Sequence, residues 1–357
     1  MSLPPLKFTP RFVQKMWGGR RLETLLGKHL PDGQPYGESW ELYDFPPGAI
    51  KGESGWVSAA VAEGPLAGKT VHELIAGRRD ELLGEVQPLK VGGEAVGEAA
   101  GEAAGEAAGQ LPILIKFLDA ADDLSVQVHP RPEYAASHPE AHLKNECWHV
   151  MDAVPGSRIL KNVKPGVTPE AMKQALDEGR ADELLQSIPV NVGDTSYLPS
   201  GTVHALGAGI LAAEVQTPSD VTYRVSDFNR TDPSTGKTRE LHVEKALQNI
   251  VYTSDEPAGQ VHEVLADGQD ANTVRVVKAP QFTLDKVEVP AGHQRRLEPG
   301  NRCTVWMLLE GELELAGEST TTTARRGETL LLPADIEPTM LTARANSRWL
   351  KVSFPGG

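Results

Sequence analysis

Cysteine, aromatic side chains and positive charge are all scarce in this chain, and each shortage excludes something. Cys147 and Cys303 are the only two cysteines. Two thiols so far apart build no disulfide framework, and a reducing compartment, the cytoplasm, is the expected setting. Aromatic residues make up 5% of the chain. No stretch approaches the roughly 20 consecutive apolar residues that span a bilayer, so no membrane partner is expected. The opening MSLPPLKFTPRF has no apolar core followed by a small-residue cleavage site, and no secretory leader is expected. Lys and Arg number 35 against 49 Asp and Glu, a formal net charge of −14. That balance argues against a general nucleic-acid binder, whose footprint would be basic. A small anionic substrate stays allowed, because distant acidic surface is screened beyond roughly 10 Å and a few local cations can dominate a pocket.

What is plentiful is punctuation. The 35 glycines and 27 prolines are more than a helical bundle tolerates and point to strands joined by turns. A length of 357 residues calls for about two domains. Residues 94–110 read EAVGEAAGEAAGEAAGQ, a four-residue unit in which a Gly every fourth position costs roughly 1 kcal/mol against Ala in a helix. Without a large apolar side chain it has no face to bury, so 92–110 is expected to be a flexible or weakly helical surface insertion without catalytic role.

Before that insertion, Thr70-Val71-His72-Glu73 forms a capping box, which predicts a helix through HELIAG and a second short one at RRDELLG. His72 is expected on its exposed side. After the insertion, LPILIKFL (111–118), LSVQVHP (124–130) and NECWHVMD (145–152) read as strands. Alternation puts Ser125, Gln127 and His129 on one face, and Lys144, Glu146 and Trp148 on one face of the next. VTPEAMKQALDEG (167–179) is a helix capped by Thr168, with Pro169 at its first position and Gly179 as its stop. ELHVEKALQNI (240–250) is another helix. DEPAGQ (255–260) and DGQD (267–270) read as a linker. Residues 271–357 alternate with period two and form an all-β domain. The expected division is therefore a first domain, 1–254, and a second, 271–357.

Chemistry concentrates in four residues. Gln127 and His129 point the same way from one strand, Glu146 stands on the next, and His204 follows the turn Pro199-Ser200-Gly201. Two imidazoles, a carboxylate and an amide oxygen suit a divalent first-row ion, zinc foremost, with positions left for water or substrate. The other histidines, among them His29, His138, His142, His149, His242, His262 and His293, read as packing or surface residues.

Gly193, Pro199, Gly201 and His204 follow the spacing of the second sequence motif of the cupin superfamily, and Gln127-Val128-His129 resembles its first with Gln in place of a His. Gln-x-His-Pro, then Lys-x-Glu, then Pro-Ser-Gly-Thr-x-His-Ala resembles the type I phosphomannose isomerases, in their short bacterial form. KMWGG (15–19), YGESWEL (36–42), LPILIKFLDA (111–120) and EVQTPSDVTYRVSDFNR (214–230) extend the resemblance. It implies a mainly β fold of two cupin-type jelly-roll barrels, the first elaborated by short helices and the second lacking metal ligands. Within GETLLLPADIEP (327–338), Asp335 and Pro338 stand where the motif wants Gly and His. The resemblance further implies one zinc per chain on Gln127, His129, Glu146 and His204, an active-site Arg224, and substrate contacts at Lys144 and Ser125. Lys116, Glu38, Glu214 and Asp220 match other pocket positions.

The implied reaction interconverts mannose 6-phosphate and fructose 6-phosphate through a cis-enediolate, whose charge a divalent ion and Arg224 would stabilise. Lys144 is either the proton carrier or a phosphate anchor; Glu214 and a metal-bound water compete for the first role. Arg224 could instead pair with Asp227 as a structural arginine. Isomerisation of a related sugar, and a metal-stabilised carbohydrate-binding cupin without turnover, remain open at this point. A monomer or homodimer with a small-molecule partner is expected.

Overall fold

The computed structural model describes residues 2–87, 90–91, 94–95, 110–231, 236–253, 255–265 and 271–355. The chain is mainly β, as its glycine and proline punctuation predicts. Four antiparallel sheets carry the architecture. A six-stranded sheet runs Thr195–Leu198, Glu146–Ala153, Ile210–Gln216, Leu114–Ala120, Glu38–Leu42, Arg11–Val13. A five-stranded one runs Leu185–Pro189, Arg158–Val163, His204–Leu206, Val126–Val128, Tyr223–Ser226. The two share a core of Leu118, Trp148, Ile159, Leu206 and Ala212, which makes them faces of one sandwich. A seven-stranded sheet and the four-stranded sheet Gln294–Leu297, Thr339–Ala343, Glu312–Ala316, Thr321–Arg325 form the second sandwich around Trp306, Leu313, Leu341 and Trp349.

The sandwiches stand back to back. Ile115, Cys147, Ala213 and Val215 of the six-stranded sheet belong to the same buried cluster as Val277, Leu284, Val305 and Leu350 of the seven-stranded sheet. Period-two alternation explains this cluster: each of these strands turns one apolar face to the neighbouring sheet, while its other face, mixed apolar and charged, looks into its own sandwich. The helices Pro169–Asp177 and Val243–Asn249 cover the outer side of the five-stranded sheet through Met172 and Ala246.

The two sandwiches repeat one topology. Numbered by chain order from Arg11–Val13, the six-stranded sheet reads first, second, third, sixth, fourth, fifth. The seven-stranded sheet, numbered from Gln260–Leu265, reads the same before Leu6–Lys7 closes its edge.

Several expectations are met at the level of single residues. Thr70 caps Val71–Leu82 with Glu73 closing the box, and Arg78 (φ −148°, ψ 39°) kinks that segment where the second helix was expected to start. Thr168 accepts from the Ala171 amide, and Gly179 adopts φ +69° just past the helix. Others need correction. His72 is not exposed: it is half-buried, with its ring stacked at 3.6 Å on Trp56. The expected linker ends in a strand, Gln260–Leu265, which forms the edge of the seven-stranded sheet; its second half, 267–270, lies outside the described residues. The chain's start belongs with its end, since Leu6–Lys7 pairs with Thr329–Leu332 and the Leu3 amide donates to Asp335 O at 2.9 Å. Of the GEAA repeat, Glu94–Ala95 pairs with Lys90–Val91, while 96–109 lie outside the described residues.

The turn before His204 depends on glycine. Gly201 adopts φ +93°, and a Cβ there would stand 2.7 Å from Val251 Cγ2. Its amide donates to His129 O at 3.0 Å, and its carbonyl accepts from the Val251 amide at 2.9 Å, so the turn ties two candidate ligand segments together. Gly193 has a similar φ of +95° with nothing within 4 Å. Gly201→Ala is therefore expected to cost about 2 kcal/mol or more, and Gly193→Ala clearly less. Urea unfolding midpoints of the two variants check the order.

Candidate metal centre and active-site pocket

Strand register assembles the centre. Gln127 pairs across its sheet with His204 on one side and with Arg224 on the other. Three strands thus place an imidazole, an amide and a guanidinium in one row. Glu146 comes from the opposite sheet, at the end of Glu146–Ala153, and His129 follows the Val126–Val128 strand. The result is a buried cluster. Glu146 Oε2 lies 3.3 Å from His129 Nε2 and 3.2 Å from His204 Nε2.

The imidazoles are held in one orientation. His129 Nδ1 lies 3.0 Å from Val221 O and His204 Nδ1 2.8 Å from Thr202 O. A carbonyl can only accept, so each Nδ1 carries the proton and each Nε2 presents a lone pair to the centre. Two of the converging atoms, His129 Nε2 and Glu146 Oε2, are buried without a hydrogen-bond partner. Buried acceptors facing one another in this way are what a cation would satisfy. Gln127 brings its amide to the same point, with Nε2 3.3 Å from His204 Nε2; turned over about its last torsion, the amide offers its oxygen instead. Among the described residues, His129, Glu146 and His204 form the one His/Cys/Asp/Glu group close enough to hold a metal ion. The residues present therefore fit a divalent ion.

Charge around the centre is paired rather than free. Burial works to raise the Glu146 pKa, but Lys144 and His129 outweigh it and hold the carboxyl well below its ordinary range; Lys144 Nζ sits 2.7 Å from Oε1. Burial, aided by Lys144, pushes His129 down to about 4 against the pull of Glu146. Lys116 Nζ lies 3.3 Å from Glu214 Oε2 and 3.7 Å from Glu38 Oε2. Burial disfavours its charge, yet Glu38, Glu214 and Asp220 together raise its pKa. Glu38 is also desolvated, but Lys116 and Lys15 bring it down to about 2, and the Trp40 indole donates to it at 2.6 Å. Glu214 moves up, because its burial outweighs Lys116; it accepts from the Trp148 indole at 2.8 Å.

A cavity of about 270 Å³ opens beside the cluster. Every expected pocket residue reaches its wall: Glu38, Lys116, Ser125, Gln127, Lys144, Glu146, Glu214, Asp220 and Arg224, with Trp17 and Trp148 as apolar surface. His129 and His204 lie behind the wall, fully buried. Arg224 is not a structural partner of Asp227. That carboxylate is taken by Arg230 and Arg239. Arg224 instead donates from Nη1 to Glu240 O at 2.8 Å and from Nε to Ser125 Oγ at 3.4 Å, and Nη2 meets no acceptor among the described residues.

Three contributors escaped the sequence reading. Lys15 lines the cavity 3.1 Å from Glu38, and Arg239 and Thr222 join the wall. Lys15 opens the KMWGG segment, so a signal was there; Arg239 lies fifteen residues past Arg224 without local pattern. His242, read as a packing residue, accepts the Arg224 backbone amide on Nδ1 at 3.1 Å and so helps set that strand.

Comparison with known proteins finds clear relatives of this chain. The model of the phosphomannose isomerase type I catalytic domain matches residues 6–165. Mannose-6-phosphate isomerase ManA of Bacillus subtilis is 32% identical over 334 residues, 93% of this chain and 94% of that protein. Mannose-6-phosphate isomerase of Streptococcus mutans is 33% identical over 334 residues, 93% of each. The crystal structure of the mannose 6-phosphate isomerase from Bacillus subtilis superposes with a TM-score of 0.80 at 27% identity, covering 99% of this chain and 100% of that one.

The lowered His129 pKa sets a pH dependence. Between about 4 and 6.5 the folded state binds fewer protons at this group than the unfolded chain does. Its stabilising contribution is therefore full above 6.5 and is lost as pH falls through that window. Chelator-treated protein should lose about 3 kcal/mol at this group on acidification, and His129→Gln should remove that part of the slope. Thermal melts of both proteins between pH 4 and 7.5 measure it.

Proposed function

The chain belongs to the type I phosphomannose isomerase family, and we propose that this enzyme interconverts mannose 6-phosphate and fructose 6-phosphate with one zinc ion per chain. The observation that carries the reading is the pair of partnerless acceptors, His129 Nε2 and Glu146 Oε2, beside a polar cavity that Arg224 and Lys144 line. We further read the two sandwiches as cupin-type jelly rolls, divided near the 255–270 segment, the first working and the second without metal ligands.

In this reading His129, His204, Glu146 and Gln127 hold the ion, whose chemistry when bound is to polarise the sugar oxygens at C1 and C2 as a Lewis acid. The protein's own groups do the rest. The Arg224 guanidinium supplies fixed positive charge where an enediolate oxygen develops, and Nη2 is the donor left for it. Its orientation is held before substrate arrives by Glu240 O, Ser125 Oγ and the His242 ring, so no reorganisation is needed during reaction. Lys144 Nζ, 2.7 Å from Glu146 Oε1, is assigned the proton transfer: having released one proton to solvent, its amine takes the proton from one sugar carbon and returns it to the other. Glu214, whose proton affinity burial raises, is the competing carrier. Lys116 holds Glu38 and Glu214 in place, Ser125 offers its hydroxyl to sugar or phosphate, and Asp220 can accept from a sugar hydroxyl. No helix among the described residues is long and apolar enough to cross a membrane, and the cytoplasm is the proposed location.

Purified protein offered either sugar phosphate should turn over, lose activity on chelation and regain it with zinc. Arg224→Ala should lower kcat by roughly 10²–10³-fold with metal content near one per chain. A coupled assay together with metal analysis reads both; activity unchanged in that variant would remove Arg224 from the mechanism, and silence in fully zinc-loaded wild type would end the proposal.

A further inference from the structure

The second sandwich encloses a larger cavity than the first, about 610 Å³ against 270 Å³, and the shared topology shows what its walls correspond to. In the first sandwich one register row crosses the sheet as Trp148, Glu214, Lys116, Trp40. The same four strand positions in the second read Trp306, Lys351, Asp285, Arg275. Two residues before each tryptophan, Glu146 pairs with Gln216 and Leu198, and Thr304 pairs with Ser353 and Leu332. Thr304 thus occupies the place of the metal-binding carboxylate. The indole and an alternating charged row are kept, while the ligand for a cation is gone.

This wall is built to receive negative charge. Trp306 and Trp349 stack at 5.1 Å and are 7% and 3% exposed, and neither indole N–H has an acceptor among the described residues. Arg302, on the same cavity, donates from Nη2 to Glu85 Oε2 at 2.9 Å, while its Nε is buried and without an acceptor among the described residues. Five Arg and Lys side chains line the cavity against two carboxylates, Asp285 and Glu298, so its charge balance is positive, and three buried donors on it lack acceptors among the described residues. Arg295 and Arg296 stand exposed at the rim, Arg296 with its Nε 2.5 Å from Glu298 Oε1, on a chain of net charge −14. The indoles occupy one another's faces, so what they can offer a sugar hydroxyl or phosphate oxygen in the cavity is their unpaired N–H edge.

We propose that the C-terminal sandwich is a second, metal-free binding site for a phosphorylated monosaccharide, formed by Trp306, Trp349 and Arg302 inside and Arg295 and Arg296 at the mouth. The site is independent of the isomerase reading, because none of these residues lines the metal-centre cavity.

Calorimetry separates the two sites. In chelator-treated protein carrying Arg224→Ala, which cannot turn substrate over, fructose 6-phosphate is titrated beside fructose alone and inorganic phosphate alone. Saturable binding near one per chain, tighter than either fragment, is the expected result. Adding Arg295→Gln with Arg296→Gln, both exposed and harmless to the core, should weaken it roughly tenfold, and Trp306→Phe, which keeps the ring and removes the N–H, should weaken it again. Affinity untouched by these substitutions would place the ligand at the metal centre and overturn the proposal. Inorganic phosphate binding as tightly as the sugar phosphate, or no binding at all, would overturn it too. Activity of the zinc-loaded wild type is read separately, so neither reading falls with the other.

Discussion

Everything near the candidate metal centre answers to one constraint: Glu146 is a carboxylate taken almost wholly out of water. An isolated ionised carboxylate in such a place would be prohibitive and would simply protonate. Here Lys144 engages one oxygen, and the other faces two imidazole nitrogens whose protons are committed to carbonyls on the far side of each ring. Lys144 keeps Glu146 ionised against its burial, while burial keeps His129 neutral. Lone pairs and negative charge consequently converge on a point where His129 Nε2 and Glu146 Oε2 meet no protein donor. The surrounding pairs, Lys116 with Glu214 and Glu38, and Asp227 with Arg230 and Arg239, follow the same logic of local neutrality, which leaves Arg224 available to a ligand.

The repeated strand order shows how one framework carries two different interiors. Core positions in a sheet are set by alternation, so a two-sheet sandwich can keep its apolar packing while its inner polar row is rewritten. Trp148 and Trp306 hold equivalent places, but Glu146 has become Thr304, and Glu214–Lys116 has become Lys351–Asp285 with its sign reversed. The reversed order places a cation beside the second tryptophan where the first has a carboxylate. Back-to-back packing through Cys147, Val215, Val305 and Leu350 then makes the two sandwiches one body.

Much of this is legible in the sequence. Alternation alone put Gln127 with His129 and Lys144 with Glu146, because a strand's side-chain period is two whatever it packs against. Gly201 marked the turn that delivers His204, since a φ of +93° beside Val251 suits no other residue. Caps at Thr70 and Thr168 were local enough to read from four residues each. Illegible were the contacts that cross the chain. Leu6–Lys7 joins a sheet more than three hundred residues away, and Gln260–Leu265 looked like linker because an edge strand needs little apolar sequence. His72 against Trp56, and His242 beneath the Arg224 amide, depend on neighbours that no spacing announces.

The sequence by itself determined the donor types, their alternation on strands, the glycine turns and the mainly β class, all of which are properties of short segments. Tertiary structure alone decided which strands became neighbours. Register set Gln127 between His204 and Arg224, brought Glu146 from the opposite sheet, and turned Arg224 away from Asp227 toward the pocket. The physical reason is that pairing of distant strands is selected by the burial of whole faces, a cooperative quantity to which each residue adds little and which no local pattern contains.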